Sequence, residues 1–175
     1  MILKELPSYQ MLLEKAKRYP AMDIQVSEAY LHVLRTGTIL HHSVERRLAS
    51  HGISYGRFMI LALLSRTKDP IPVCKLAEMA GVTTPTVSAV LSGMVRDGLV
   101  HREEDSTDRR VVRISLEPAG QRLLDTVIPG LLEYQAEVMA DLDQEELKTV
   151  VALLSQVRLD AGLNLEELRN TCRTL

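Results

Sequence analysis

A mainly α-helical fold carrying one small β-hairpin is what this sequence predicts. Apolar residues recur at helical spacing through most of its 175 residues. Two short amphipathic segments flank a turn at Gly81-Val82-Thr83. Directly after them, two alternating runs enclose the charged loop Glu103 to Arg110. Three regions are therefore expected: residues 1–53, an N-terminal extension and a first long helix; 54–116, the turn unit with its hairpin; and 117–175, C-terminal helices.

The elements follow in order. Ser8 to Arg18 places Tyr9, Leu12, Leu13 and Ala16 on one helical face and stops before Pro20. A long helix is expected from about Asp23 to Ser50. Its positions Val26, Tyr30, Val33, Gly37, Leu40 and Val44 form a narrow seam suited to a partner helix. His51-Gly52 is a C-terminal stop. Tyr55 to Ser65 is strongly apolar through Phe58, Met59, Leu61, Ala62 and Leu64 and reads as core. Val73 to Ala80 and Thr84 to Asp97 are the two helices of the turn unit, with Thr84 as cap and Pro85 at the first helical position. Val112 to Leu116 is the alternating strand after the loop.

Glu117-Pro118 opens a helix carrying Leu123, Leu124, Val127, Ile128, Leu131 and Leu132, with a kink expected at Pro129-Gly130. Asp143 and Glu146 read as a capping box before Leu147, Val150, Val151, Leu154 and Val157, with an end near Gly162. A short last helix is expected from Asn164 to Arg173. The apolar stripes of the first and last helices need burial, and a two-fold dimer interface is the economical solution.

Composition excludes several classes. With 46% hydrophobic but only 3% aromatic residues, Leu, Val, Ile and Met must fill the interior. Cys74 and Cys172 lack metal-like spacing and fit a reducing, cytoplasmic setting. No leader segment and no membrane span are expected. No nucleophile–base pairing, phosphate loop or ligand-spaced metal cluster marks an enzyme, and no cofactor or metal is expected.

The net charge of −2 is unevenly spread. Residues 1–53 hold seven Lys/Arg against five Asp/Glu, a net of +2, and residues 54–116 hold nine against seven, again +2. Residues 117–175 hold five against eleven, a net of −6. The turn unit is thus mildly positive inside an acidic chain, which leaves room for a local DNA-binding face.

Two helices around a short glycine turn form the geometry that lays one helix into a DNA major groove. In the second of them Val87, Val90, Leu91, Met94 and Val95 are expected inward. Pro85, Thr86, Ser88, Ala89 and Ser92 are left outward, where hydroxyls can bond phosphates or base edges. A solvated polar face is the plain alternative. On the hairpin tip, Arg109 and Arg110 can enter a minor groove, while Asp108 is placed to orient a neighbouring arginine through a charge-assisted hydrogen bond. The fold class is therefore mainly α with a small β-hairpin wing: a winged helix-turn-helix DNA-binding domain plus a helical dimerisation region.

The run Leu76-Ala77…Gly81-Val82-Thr83-Thr84-Pro85-Thr86-Val87-Ser88, then Gly98-Leu99-Val100 and Asp-x-x-Asp-Arg-Arg…Ile-Ser-Leu-x-x-x-Gly, resembles the MarR family of transcriptional regulators over roughly residues 24–162. The resemblance implies a homodimer that binds a pseudo-palindromic double-stranded DNA operator. It also implies release by a small anionic or phenolic effector. The family's wing-tip arginine maps to Arg110, its partner aspartate to Asp108, and its recognition-helix contacts to Thr84, Thr86, Ser88 and Ala89. Many members carry basic residues where this chain has Ala89 and Gly93, which shifts weight from direct base readout toward DNA shape and the wing.

An effector pocket between dimer helices and winged helix would draw on Tyr30, His41, Arg46, Arg57 and Phe58; interface and core roles are the alternative. His41, His42 and Glu45 share a helix turn, and a structural or solvated role is expected rather than a metal site. Cys74 is expected to be structural rather than a redox sensor. The leading reading is a ligand-responsive DNA-binding repressor. A winged-helix protein-interaction module with little DNA specificity is the alternative.

Overall fold

The computed structural model describes residues 5–108 and 110–160. The expected helix at 164–173, the stop near Gly162, Cys172 and Arg109 lie outside the described residues. Ten elements follow in the order α1 (Tyr9–Arg18), α2 (Ile24–Ala49), α3 (Tyr55–Leu64), β1 (Ile71–Pro72), α4 (Val73–Ala80), α5 (Thr84–Arg96), β2 (Val100–Glu104), β3 (Val112–Leu116), α6 (Pro118–Val138) and α7 (Gln144–Asp160). The chain divides into two compact units between Arg47 and Leu48.

In the first unit, Ser8 caps α1 by accepting the Met11 N–H at 3.3 Å, and the Asp23 carboxylate accepts the Val26 N–H at 3.0 Å at the start of α2. Along the α2 seam, Val26, Tyr30, Val33 and Gly37 are exposed. Leu40 and Val44, further along the same seam, are half-buried.

The second unit holds the core. Leu61 and Leu64 of α3, Leu76 of α4, Val87, Leu91 and Met94 of α5, Val100, Ile114 and Leu124 are buried together with Ile60 and Val127. Four helices and a sheet thus enclose an interior of aliphatic side chains and methionine, as the scarcity of aromatics requires. The sheet has three antiparallel strands in the order β1-β3-β2. Arg102 faces Ile114 and Glu103 faces Arg113 in the hairpin, while Ile71 pairs with Ile114 on the other edge. β1 was not expected: at two residues it is too short to show alternation.

α4 ends on Gly81, which opens the turn to α5 and whose φ of 67° is the left-handed conformation a helix end favours. Thr83, not Thr84, then caps α5. Its hydroxyl accepts the Thr86 N–H at 3.4 Å and lies 2.8 Å from the Thr86 hydroxyl. Pro85 therefore sits second in the helix rather than first. Either place is harmless, because the first four N–H groups lack intrahelical acceptors.

α6 runs from Pro118 through Pro129 to Val138. Its start is locked by Gly120, where a Cβ would stand 2.3 Å from the Leu99 carbonyl oxygen and 2.8 Å from Leu116. The helix N-terminus therefore lies directly on the chain that leads into β2, so the base of the wing and α6 share one packing surface. The Asp143–Glu146 capping box forms as expected. Asp143 accepts the Glu146 N–H at 2.9 Å, and Glu146 accepts the Asp143 N–H at 2.9 Å. None of the residues described for α7 is buried: Val151, Leu153, Leu154, Val157 and Leu159 all face solvent in the single chain.

Candidate nucleic-acid interface

The burial of Val87, Leu91 and Met94 rolls α5 so that Pro85, Thr86, Ser88, Ala89 and Ser92 face outward, as the spacing predicts. Thr84 is half-buried at the first turn. Val90 is only half-buried, and Val95, expected inward, is 37% exposed. The core stripe is therefore narrower than the apolar pattern suggested, and Val95 falls on its rim.

Between α5 and the wing lies a groove of about 660 Å³. From α5 come Thr84, Ser88, Ser92 and Val95, and from the hairpin Arg102, Asp108 and Arg110. Pro72, Val73 and Cys74 line it as well. Hydroxyls on one wall and two guanidinium-bearing residues on the other make a concave, cationic and hydrogen-bonding surface. Phosphates and base edges are the groups such a surface suits. Cys74, a half-buried free thiol, belongs to this groove. Arg102 was missed from sequence because an arginine on an exposed strand carries no mark of its own.

The wing is organised chiefly by Asp105, also missed. This carboxylate is 7% exposed, the one buried charged side chain among the described residues. One oxygen accepts the Thr107 hydroxyl at 2.5 Å, the Thr107 N–H at 2.8 Å and the Asp108 N–H at 3.1 Å. The other accepts the Arg113 guanidinium, which also donates to the Pro70 carbonyl at 3.1 Å. The Thr107 hydroxyl foremost, then Arg113 and the two N–H groups, hold the Asp105 carboxyl well below the usual carboxylate range. The tip is thereby tied through β3 to the segment before β1.

Asp108 holds the main chain of the tip. Its carboxylate accepts the main-chain N–H of Arg110 at 3.0 Å, and its carbonyl accepts the Val111 N–H at 2.9 Å. A carboxylate two residues before an N–H reaches it with little strain, so Asp108 fixes the Arg110 backbone. Arg110 is exposed, and its side chain lines the groove.

The residues proposed from sequence for an effector do not join this groove. Tyr30, His41 and Arg46 lie on α2 in the first unit, where His41 pairs with Glu45 at 3.4 Å. Arg57 and Phe58 lie on α3 in the second, and Phe58 is half-buried. The Arg57 guanidinium pairs with Asp97 at the end of α5, and this hydrogen bond lowers the Asp97 carboxyl pKa against a smaller opposing effect of burial. Among the described residues no three His, Cys, Asp or Glu side chains cluster to hold a metal ion. No helix among them is long and apolar enough to cross a membrane.

A family model described as the MarR family matches residues 53–112. The HTH-type transcriptional repressor YetL of Bacillus subtilis (strain 168) is 32% identical over 158 residues, covering 90% of this chain and 95% of that relative. Among solved structures, the M. tuberculosis transcriptional regulator MOSR in complex with DNA is similar with a TM-score of 0.60 at 29% identity, over 76% of this chain and 97% of that one. AbsC, a MarR family regulator from Streptomyces coelicolor, shares the fold with a TM-score of 0.73 at 22% identity, over 80% and 96% of the two chains.

Proposed function

The chain belongs to the MarR family of transcriptional regulators, and from that premise we propose that it is a DNA-binding repressor, acting in the cytoplasm as a homodimer on a pseudo-palindromic operator. The observation that carries the reading is the shared groove: Thr84, Ser88 and Ser92 of α5 stand opposite Arg102 and Arg110 of the wing. In this reading the exposed face of α5, with Pro85, Thr86, Ser88, Ala89 and Ser92, enters a major groove. Arg110, with Arg109 beside it in sequence, follows the adjacent minor groove. Small hydroxylic side chains cannot supply bidentate guanine contacts, so DNA shape and the wing carry much of the discrimination.

Two further observations support dimerisation. α7 buries none of its described residues, and the α2 seam is open, so the monomer leaves two apolar stripes in water. A two-fold dimer that covers them and spaces the α5 helices about 34 Å apart would meet successive major grooves on one DNA face. Release by a small anionic or phenolic ligand is part of the same proposal, and it rests on the family resemblance.

The test is a titration of labelled DNA from upstream of the protein's own gene, beside an unrelated fragment of equal length. Preferential binding of the upstream fragment, weakening steeply with salt, supports the reading. Equal or absent binding at low salt overturns it and favours a protein-docking role.

A further inference from the structure

Arg57 and Asp97 each stand at the helix end that suits their charge least. Arg57 is in the first turn of α3, where the helix dipole is positive, and Asp97 is the C-cap of α5, where it is negative. Gly93 adds a third local anomaly, a glycine inside α5, where it costs helix stability relative to alanine. The three anomalies meet in space. The Arg57 guanidinium pairs with Asp97, and one of its nitrogens lies 3.2 Å from where a Gly93 Cβ would stand. One turn earlier on the same face of α5, Val90 lies 3.9 Å from the position a Cβ on Gly56 would take.

Val90, Gly93 and Asp97 thus form a stripe of α5 that faces the start of α3. At 3.6 residues per turn this stripe lies across the helix from Thr84, Ser88 and Ser92, which line the groove. Residues that break local rules together mark a position held for a purpose. We propose that Arg57 is a positioning residue for DNA binding. Reaching past Gly93 to Asp97, it fixes the pitch and rotation of α5 from behind and so aims the hydroxyl stripe, without touching DNA. Gly93 is the gap through which the guanidinium passes. This inference rests on the DNA-binding reading above.

The experiment measures binding of the full chain to the labelled upstream fragment over a salt series, with a melting curve for each variant. Arg57→Ala is expected to weaken binding by about fivefold, the upper range for a partly exposed ion pair. Its log–log salt slope should stay that of wild type, because no phosphate contact is lost. Gly93→Ala is expected to raise the melting temperature through helix propensity yet weaken binding, a divergence that a purely structural role would not produce. The double variant Arg57→Glu with Asp97→Arg moves each charge to its favoured helix end, and it should recover most of the affinity lost by either single change.

Binding by Arg57→Ala as tight as wild type overturns the inference while leaving the DNA-binding reading intact. So does a salt slope reduced by about 0.9, the mark of a lost phosphate contact. Failure of the charge swap to recover affinity also overturns it. Absence of wild-type binding removes both the inference and the reading beneath it.

Discussion

The Asp105 carboxylate accepts the Arg113 guanidinium where the wing's loop leaves its strands, and Arg113 in turn donates to the Pro70 carbonyl at 3.1 Å. A hairpin tip is otherwise held only by its own short ladder. Here one buried acid gathers two main-chain N–H groups, a hydroxyl and a guanidinium, and so fixes where Arg110 points. Asp105→Ala should leave α5 folded and reduce DNA affinity. Amide exchange at Thr107 and Asp108, faster in the variant, checks the cause.

The same carboxyl fixes a pH dependence. Its folded pKa lies below its ordinary value of 3.8, so its stabilisation is fully present above that value and is lost as pH falls through the lowered one. The difference in melting temperature between wild type and Asp105→Asn should be constant from neutral pH to about 4 and shrink only on further acidification. A gap that closes between pH 7 and 5 would refute the assignment.

Gly120→Ala is expected to be among the most damaging single-methyl changes. Its Cβ would meet the Leu99 carbonyl oxygen at 2.3 Å, a backbone atom that cannot step aside as a side-chain tip can. The strain of overpacking, about 1–3 kcal/mol or more, outweighs the gain in helix propensity of about 1 kcal/mol. Denaturant unfolding should show the loss, and DNA affinity should fall with it, because Leu99 leads directly into the wing.

The open face of α7 makes a separate prediction. Leu154→Glu with Val157→Lys adds charge to a surface that the monomer leaves exposed, so monomer stability should be little changed. Analytical ultracentrifugation should instead show loss of the dimer. A variant that sediments as wild type would remove α7 from the interface.

Arg102 stands on the exposed face of β2 and lines the groove. If it neutralises one phosphate, Arg102→Ala should lower the log–log salt slope of binding by about 0.9 per site. An unchanged slope would assign it to shaping the groove alone.

Much of this architecture was legible in the order of residues. Val87, Leu91 and Met94 set the roll of α5 through helical spacing, and Pro85, Thr86, Ser88, Ala89 and Ser92 are outward as that spacing requires. Asp143 and Glu146 announced their helix because a capping box is a local exchange of hydrogen bonds. What stayed hidden was set by non-local packing. Asp105 and Asp108 stand three apart in one charged loop, and the loop's composition cannot tell which is buried against Arg113. Arg57 and Asp97 are forty residues apart and meet because α3 packs against α5. Thr83 and Thr84 are equally good caps by type, and the glycine turn decides between them.

The sharpest single test is the affinity of Arg110→Ala for the upstream fragment, measured by fluorescence anisotropy at fixed salt beside wild type. The wing reading predicts a loss of about 1–3 kcal/mol for each contact removed, with the melting temperature unchanged because the Arg110 side chain is exposed. Wild-type affinity in that variant would contradict it.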